Sequence, residues 1–535
     1  MTCKVSYCNI KSAISFLLIC FLLMSEQQGY GQLNLIRTDS LINKDWKFTH
    51  QAVADPFRAD YDDAGWESVK IPHCFNATDP YDDNDDYYRG IVWYRKNFQL
   101  SGGVQKGKRY VICFDGANLV TDVFVNGAPV GRHEGGYTAF QFDITSFLKS
   151  DGKENLIAVK VDNSENPFVA PLHVGYTIYG GVYRHVRLIT TNDVHFNLNN
   201  YGSSSVFVST HEISKDNASV LVNMNLTNQS SARKVVKAIH TIYDKEGNKV
   251  FSNLSEDIVL APESNTQKNI YFNTAITNPH YWSPEDPYLY KIITQITDGQ
   301  KILDEQTNVI GVRTFRFTAD SGFFLNGKKY VLKGTNRHQD KMEKGSALSY
   351  EDHEADLQSI KKMGCNFLRL AHYPQDPYMH QRADELGLLL WEEIPLVDLM
   401  NIDEHFKDNC ANQIREMIRQ HYNHPSIILW GSLNEIFLQD KYGERAQKQT
   451  DSIYAANVSK YAAYLDSVVR AEDPYRYSTM AMHMSSDYDK FKIDIIPQVA
   501  SYNIYNGWYS GKVEERSEEH TSELQSRQYL VCRLL

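Results

Sequence analysis

From Leu33 to about residue 192 the chain runs in short stretches where apolar and polar residues alternate, broken by Asn, Asp and Gly. RYVICFDGA (109–117), TDVFVNGAPVG (121–131) and NLIAVKVDN (155–163) carry the period of two that turns one row of side chains to a core and the other to water. Asn126-Gly127, set between apolar flanks, predicts a tight hairpin. No stretch has a helical period, so 32–192 reads as a β jelly-roll sandwich. A second alternating region, 193–318, holds VLVNMNLTN (220–228), KAIHTIYD (237–244) and YKIITQITD (290–298). Its length and turns predict an immunoglobulin-like β-sandwich.

The period changes after about residue 319. YVLKG (330–334) reads as a strand and SYEDHEADLQSIKKMG (349–364) as a helix. Ser349 can cap that helix with Asp352 three residues on, Leu357, Ile360 and Met363 share a face, and Gly364 ends it. NFLRLAHYP (366–374), LGLLLWEEIP (386–395) and SIILW (426–430) are strands that are apolar almost throughout, with helices between them. On one of those helices Phe406, Ile414, Met417 and Ile418 share a face. Apolar strands alternating with helices predict parallel strands covered on the outside. A TIM barrel is the leading reading for 319–515; a doubly wound sheet is second, but no Gly-rich phosphate loop follows any strand. A helix at 450–473 and strand candidates in PYRYSTMAM and VASYNIYNGWY bring the strand count to about six, two short of closure, so the expected barrel is incomplete.

At 535 residues, several domains are required. The ends are read apart from the fold. Lys4 and Lys11 precede the apolar run AISFLLICFLLM (13–24), too short to span a bilayer; residues 1–31 read as a signal peptide cut before Gln32. The expectation is an exported protein, periplasmic or secreted, with no membrane span. Residues 516–535 share no pattern with what precedes them and read as an adaptor-derived tail. The net charge of -11, with no long Lys/Arg run, argues against nucleic acid as a partner. The Cys residues away from the ends, at 74, 113, 365 and 410, form no CxxC pair and indicate neither a zinc site nor a disulfide scaffold.

In a parallel barrel the C-terminal strand ends line the active site. Those positions hold Asn336, Arg337 and His338; Arg369, His372 and Tyr373; Glu392 and Glu393; Asn434 and Glu435; and Asn503, Tyr505 and Trp508. Sugar hydrolysis draws on this set: amides and imidazoles for hydroxyls, an indole for the apolar face of a ring, and two carboxylates across the glycosidic bond.

KGTNRHQD (333–340), NFLRLAHYP (366–374) and HPSIILWGSLNE (424–435) resemble successive signatures of glycoside hydrolase family 2, which includes β-galactosidases, β-glucuronidases and β-mannosidases. RGIVWYRKNF (89–98), VFVNGAPVGRHEGGYTAFQFDIT (123–145) and YGGVYRHVRL (179–188) resemble its sugar-binding-type jelly roll; YWSPEDPYLY (281–290) and IGVRTFRF (310–317) resemble its immunoglobulin-like domain. The resemblance spans roughly 34–515. It implies a retaining mechanism with two glutamates. Glu435 takes the acid/base role, and Asn434 is similar to the residue that holds the sugar 2-hydroxyl. A carboxyl on a partly buried strand end suits that role, because burial can raise its pKa. Tyr505 matches the residue that hydrogen-bonds the nucleophile. His338, His372, Arg369, Asn336 and Trp508 are the expected substrate contacts, with Arg369 also placed to pair with carboxylates inside the barrel. The nucleophile is expected on a seventh strand that this chain does not reach, so the 535-residue chain is expected to be inactive.

The sugar expected is a terminal β-galactoside, because Arg337 in NRHQD is more like the galactosidase pattern; glucuronidase or mannosidase specificity is the alternative. A non-catalytic carbohydrate-binding protein is the other class of reading. The partner is a β-linked oligosaccharide or glycoside, a homo-oligomer is left open, and no cofactor is expected. DPYDDNDDYYRG (79–90) lacks the spacing of a calcium loop, and Asp85 and Asp86 are candidate rim contacts. WEEIPLVD has a Glu but no adjoining His, so no metal is expected after the third strand.

Overall fold

The computed structural model describes residues 36–82, 87–100, 102–438, 452–504 and 529–532. The first domain is two antiparallel sheets packed face to face. A four-stranded sheet runs Thr38–Leu41, Val186–Asn192, Lys108–Phe114, Phe140–Asp143; a six-stranded one runs Glu67–Val69, Trp46–Thr49, Ile91–Phe98, Asn155–Asp162, Val120–Val125, Ala128–Glu134. Alternating side chains fill the space between them, including Trp46, Tyr94, Ile112, Phe114, Ile157 and Val159. The hairpin falls at Asn126-Gly127, with φ of 52° and 89°. Positive φ at both central residues matches the right-handed twist of the flanking strands, and Asn and Gly reach it at least cost.

The immunoglobulin-like sandwich follows. Asn217–Asn228 pairs Val206–His211 and Ser264–Thr277, while Lys234–Tyr243 and Tyr290–Thr297 lie in the facing sheet. Val220, Val222, Met224, Ala238, Ile242 and Ile292 meet between the sheets. Arg37 and the buried Asp304 form an ion pair at 2.6 Å that ties this domain to the start of the jelly roll.

The catalytic-type domain is a parallel sheet with helices on its outer face. Numbered within this domain, its strands are β1 (Gly334–Arg337), β2 (Phe367–Leu370), β3 (Leu389–Glu393), β4 (Ile427–Asn434), β5 (Tyr477–His483) and β6 (Val499–Asn503). Helices α1 (Tyr350–Lys362), α2 (Pro377–Leu386), α3 (Glu404–His421) and α4 (Ser452–Glu472) connect them. All neighbouring strands pair in parallel, giving the curved wall of an incomplete TIM barrel. A further strand, Tyr529–Cys532, pairs parallel with β6 in the stretch the sequence set apart as a tail.

The strands are apolar on both faces because each face is covered. Leu368, Leu390, Ile427 and Trp430 pack with the helices; Phe367, Leu389, Trp391 and Leu429 pack inside, over the small hairpin containing Phe317 and Phe323. The capping box on α1 forms as expected, with Ser349 and Asp352 bonded reciprocally. Met363 does not join the buried face: it is the C-cap residue, past the last full turn, and is 60% exposed.

The sandwiches brace the barrel from two sides. Arg184, fully buried, donates to the carbonyls of Tyr137 and Pro374 at 2.7 Å each, and Glu416 on α3 accepts from Thr138 (2.5 Å) and His133 (3.0 Å). At the opposite end, Arg313 donates to the Ile427 carbonyl at 2.6 Å. Among the described residues no helix is long and apolar enough to cross a membrane.

Candidate active site

Strand parity decides which polar residues face inward. Phe367 and Arg369 alternate with Leu368 and Leu370, so Arg369 enters the barrel while its neighbours face the helices. In β3 the same alternation sends Glu393 inward with Leu389 and Trp391. Arg369 and Glu393 are 1% and 0% exposed. Arg369 donates to Glu393 through Nε (3.0 Å) and Nη2 (2.9 Å), to Asn434 Oδ1 (2.9 Å) and to Asn503 Oδ1 (3.0 Å), with its guanidinium 4.2 Å above the Trp391 ring. His372 Nδ1–H donates to Glu393 Oε1 at 2.5 Å. Burial pushes the Glu393 carboxyl upward, but Arg369 and then His372 outweigh it and hold it below the ordinary glutamate range.

Gly431 makes room for this brace. A Cβ there would lie 2.6 Å from Glu393 Cβ and 2.7 Å from Trp391 Nε1. This close approach explains the Gly within an otherwise bulky strand.

Asn434 and Glu435 end β4. Glu435 is 5% exposed, and its backbone is left-handed at φ 49°. Its N–H donates to the Ala481 carbonyl of β5 at 2.8 Å, which fixes the turn. A non-Gly residue held there stores strain of about 1 kcal/mol, a feature concentrated at functional sites. The Asn503 amide donates to Glu435 Oε1 at 2.8 Å and to Asn434 Oδ1 at 2.9 Å. Asn434, Glu435, Arg369, Glu393, His372 and Asn503 are thus one connected network drawn from β2, β3, β4 and β6 and the turn after β2.

His338, just past β1, packs its ring 5.4 Å from His372 and 5.7 Å from Tyr373. Burial, and then the charge on His372, lowers its pKa to about 3, so it is a neutral imidazole at ordinary pH. Asn336 lies in β1 in register with Arg369. Tyr505 and Trp508, like Asp85 and Asp86, lie outside the described residues.

Two strand-end positions point elsewhere. Glu392 faces α2 and α3, because it alternates with Glu393. Arg337 also turns outward, donating to Asp356 (2.7 Å) and Gln375 (2.5 Å), so it is a brace for α1.

Other residues enter that the sequence did not single out. The jelly-roll segment after Asp162 reaches the barrel mouth: Tyr176 lies 5.0 Å from His338 and 6.3 Å from His372, ring to ring, and His173 Nδ1 lies 3.4 Å from Asp398 Oδ2. Asp398, after β3, donates its N–H to the Asn434 carbonyl at 3.0 Å. Burial, and then the charge of Glu435, pushes its carboxyl up to about 7. Alternation gives no signal for a loop borrowed from another domain. Among the described residues, the one His/Cys/Asp/Glu set close enough to share an ion is His380, Glu392 and His421, behind the sheet.

Comparison with known proteins matches three consecutive stretches. "Glycosyl hydrolases family 2, sugar binding domain" covers residues 31–192, "Glycosyl hydrolases family 2" 204–313, and "Glycosyl hydrolases family 2, TIM barrel domain" 317–532. A β-glucuronidase of Bacteroides fragilis is 34% identical over 487 residues, covering 89% of this chain and 65% of the relative. A β-galactosidase of Thermoanaerobacter pseudethanolicus is 33% identical over 441 residues, covering 82% of this chain and 57% of the relative. The crystal structure of a Bacteroides uniformis β-glucuronidase superposes with a TM-score of 0.86 at 37% identity, covering 92% of this chain and 58% of that one. The chain therefore spans little more than half to two thirds of the length of these relatives.

Proposed function

The chain belongs to glycoside hydrolase family 2, and from that premise we propose that it carries the acid/base half of a retaining exo-β-glycosidase, with Glu435 as the proton donor. The supporting observation is the placement of Glu435: buried at the end of β4, held in a strained backbone conformation, and oriented by Asn503. In the first step Glu435 gives its proton to the glycosidic oxygen as the bond from that oxygen to the anomeric carbon breaks, and a second carboxylate forms a bond to that carbon from the opposite face. In the second step Glu435 takes a proton from water, whose oxygen displaces the enzyme carboxylate. The two carboxyls of such a pair stand about 5–5.5 Å apart. Glu393 is not offered as the nucleophile: two hydrogen bonds from Arg369 and one from His372 occupy it, and it is 0% exposed. The nucleophile is assigned to a residue outside those described. His338, His372, Asn336 and Asn434 are assigned to sugar hydroxyls, Trp508 to the sugar face and Tyr505 to the nucleophile.

The leading substrate class is a terminal β-glucuronide. Two of the three relatives above are named β-glucuronidase, which outweighs the single Arg337 that favoured galactosides from sequence. That residue in any case braces α1. A β-galactoside is the second reading, favoured by the name of the Thermoanaerobacter relative. We also propose export, on the apolar run 13–24.

The test is hydrolysis of 4-nitrophenyl β-glucuronide, β-galactoside and β-mannoside by the chain continued to the length of its relatives. Turnover of the glucuronide above the others is expected. Sugar binding with no turnover of any would support the carbohydrate-binding alternative instead.

A further inference from the structure

Glu392 lies behind β3, 0% exposed, between the sheet and helices α2 and α3. Its ion-pair partners among the described residues are both histidines, with no Arg or Lys among them. Oε1 accepts from His421 Nδ1–H at 2.8 Å and lies 3.1 Å from His380 Nε2. His380 is 0% exposed and His421 4%. Neither ring nitrogen of His380 makes a hydrogen bond, and neither does Glu392 Oε2. A buried imidazole whose one polar neighbour is a poorly aligned carboxylate oxygen, beside a second carboxylate oxygen with no hydrogen bond, leaves polarity unmet, since buried polar groups are satisfied by protein, water or ion. The three side chains bring one ligand atom each within 4.8 Å of the others.

We propose that His380, Glu392 and His421 form a structural site for a divalent first-row cation of the zinc class, joining α2, β3 and α3. The donor set decides the metal. Two imidazole nitrogens and one carboxylate oxygen suit zinc and its neighbours, whereas calcium and magnesium take oxygen shells. Bonds of about 2.0–2.2 Å bring ligand atoms to this range of separations once His380 swings out of its 3.8 Å stack on His421. A water completes four-coordination. Asp384 Oδ2 accepts from His424 at 2.6 Å, and the His424 ring is 5.4 Å from that of His380.

The test is metal content of the untagged chain after equilibration with zinc and gel filtration, measured by mass spectrometry, with Glu392→Gln alongside. The expectation is about one zinc per chain in the wild type and roughly tenfold less or lower in the variant. Glu392→Gln preserves shape, but if it fails to fold, cobalt titration of the wild type replaces it. Visible bands of tetrahedral cobalt that saturate at about one equivalent support the site. Wild-type chain with neither retained zinc nor cobalt bands overturns the proposal, as does equal zinc in wild type and variant.

Discussion

Replacing Arg369 by Met tests the brace that orients Asn434 and Asn503. The substitution keeps an unbranched apolar stem over Trp391 and removes the cation. Glu393 then retains only the His372 contact at 2.5 Å while staying fully buried. Breaking a buried ion pair by removing one partner costs about 3–5 kcal/mol, because the remaining charge is uncompensated. At about 2–4 °C per kcal/mol for a domain of this size, the melting midpoint of the barrel falls by about 6–20 °C. Thermal and urea unfolding followed by tryptophan fluorescence at pH 7 measures it, with Glu393→Gln and the double variant completing a cycle. Because the penalty is an orphaned charge, Arg369→Met with Glu393→Gln is expected to be more stable than Arg369→Met alone. The pH dependence has a defined sign. Glu393 sits below its ordinary range in the native state, so its contribution is present above the unfolded-state value and is lost as pH falls through the native one. Without Arg369 burial dominates, and stability falls as pH rises. A loss under about 1 kcal/mol in Arg369→Met, or a double variant no better than the single, would refute the reasoning.

Other outcomes follow from the same geometry. Gly431→Ala drives a methyl into Glu393 and Trp391 and should cost about 1–3 kcal/mol in unfolding free energy. His338, with a native pKa of about 3, is neutral when folded and protonated when unfolded below about 6.5. Stability is therefore lost as pH falls from about 6.5 toward 3, by at most about 1.4 kcal/mol per unit, and His338→Asn should flatten that slope in urea titrations. Asp398, raised to about 7, binds its proton more tightly folded than unfolded, so stability is lost as pH rises toward 7. Asp398→Asn should stabilise the chain above pH 7 by on the order of 2–4 kcal/mol, with the gain vanishing toward pH 4.

The class of fold was legible because local period reports burial: period two in both sandwiches, continuous apolar strands where helices cover the sheet. Strand ends likewise located Arg369, Asn434 and Glu435. The twin carboxylates Glu392 and Glu393 were not separable from sequence, because the residues before them are apolar on both faces and alternation carries no sign of in or out. Asn503 was placed at a strand end too, but nothing in the sequence showed that its amide touches both Asn434 and Glu435. Tyr176 and His173 come from another domain, and a loop contact leaves no period. The His380–Glu392–His421 cluster draws on three elements spread over about forty residues, so no motif spacing announces it.

The central claim is proton donation by Glu435. In the chain continued to the length of its relatives, Glu435→Gln should be compared with wild type on aryl β-glucuronides whose leaving phenols range from strongly to weakly acidic. The loss in kcat/KM should be small for the most acidic phenol, which leaves unaided, and about 10²–10⁴-fold for the least acidic. Hydrolysis of the least acidic substrate at the wild-type rate would contradict the assignment.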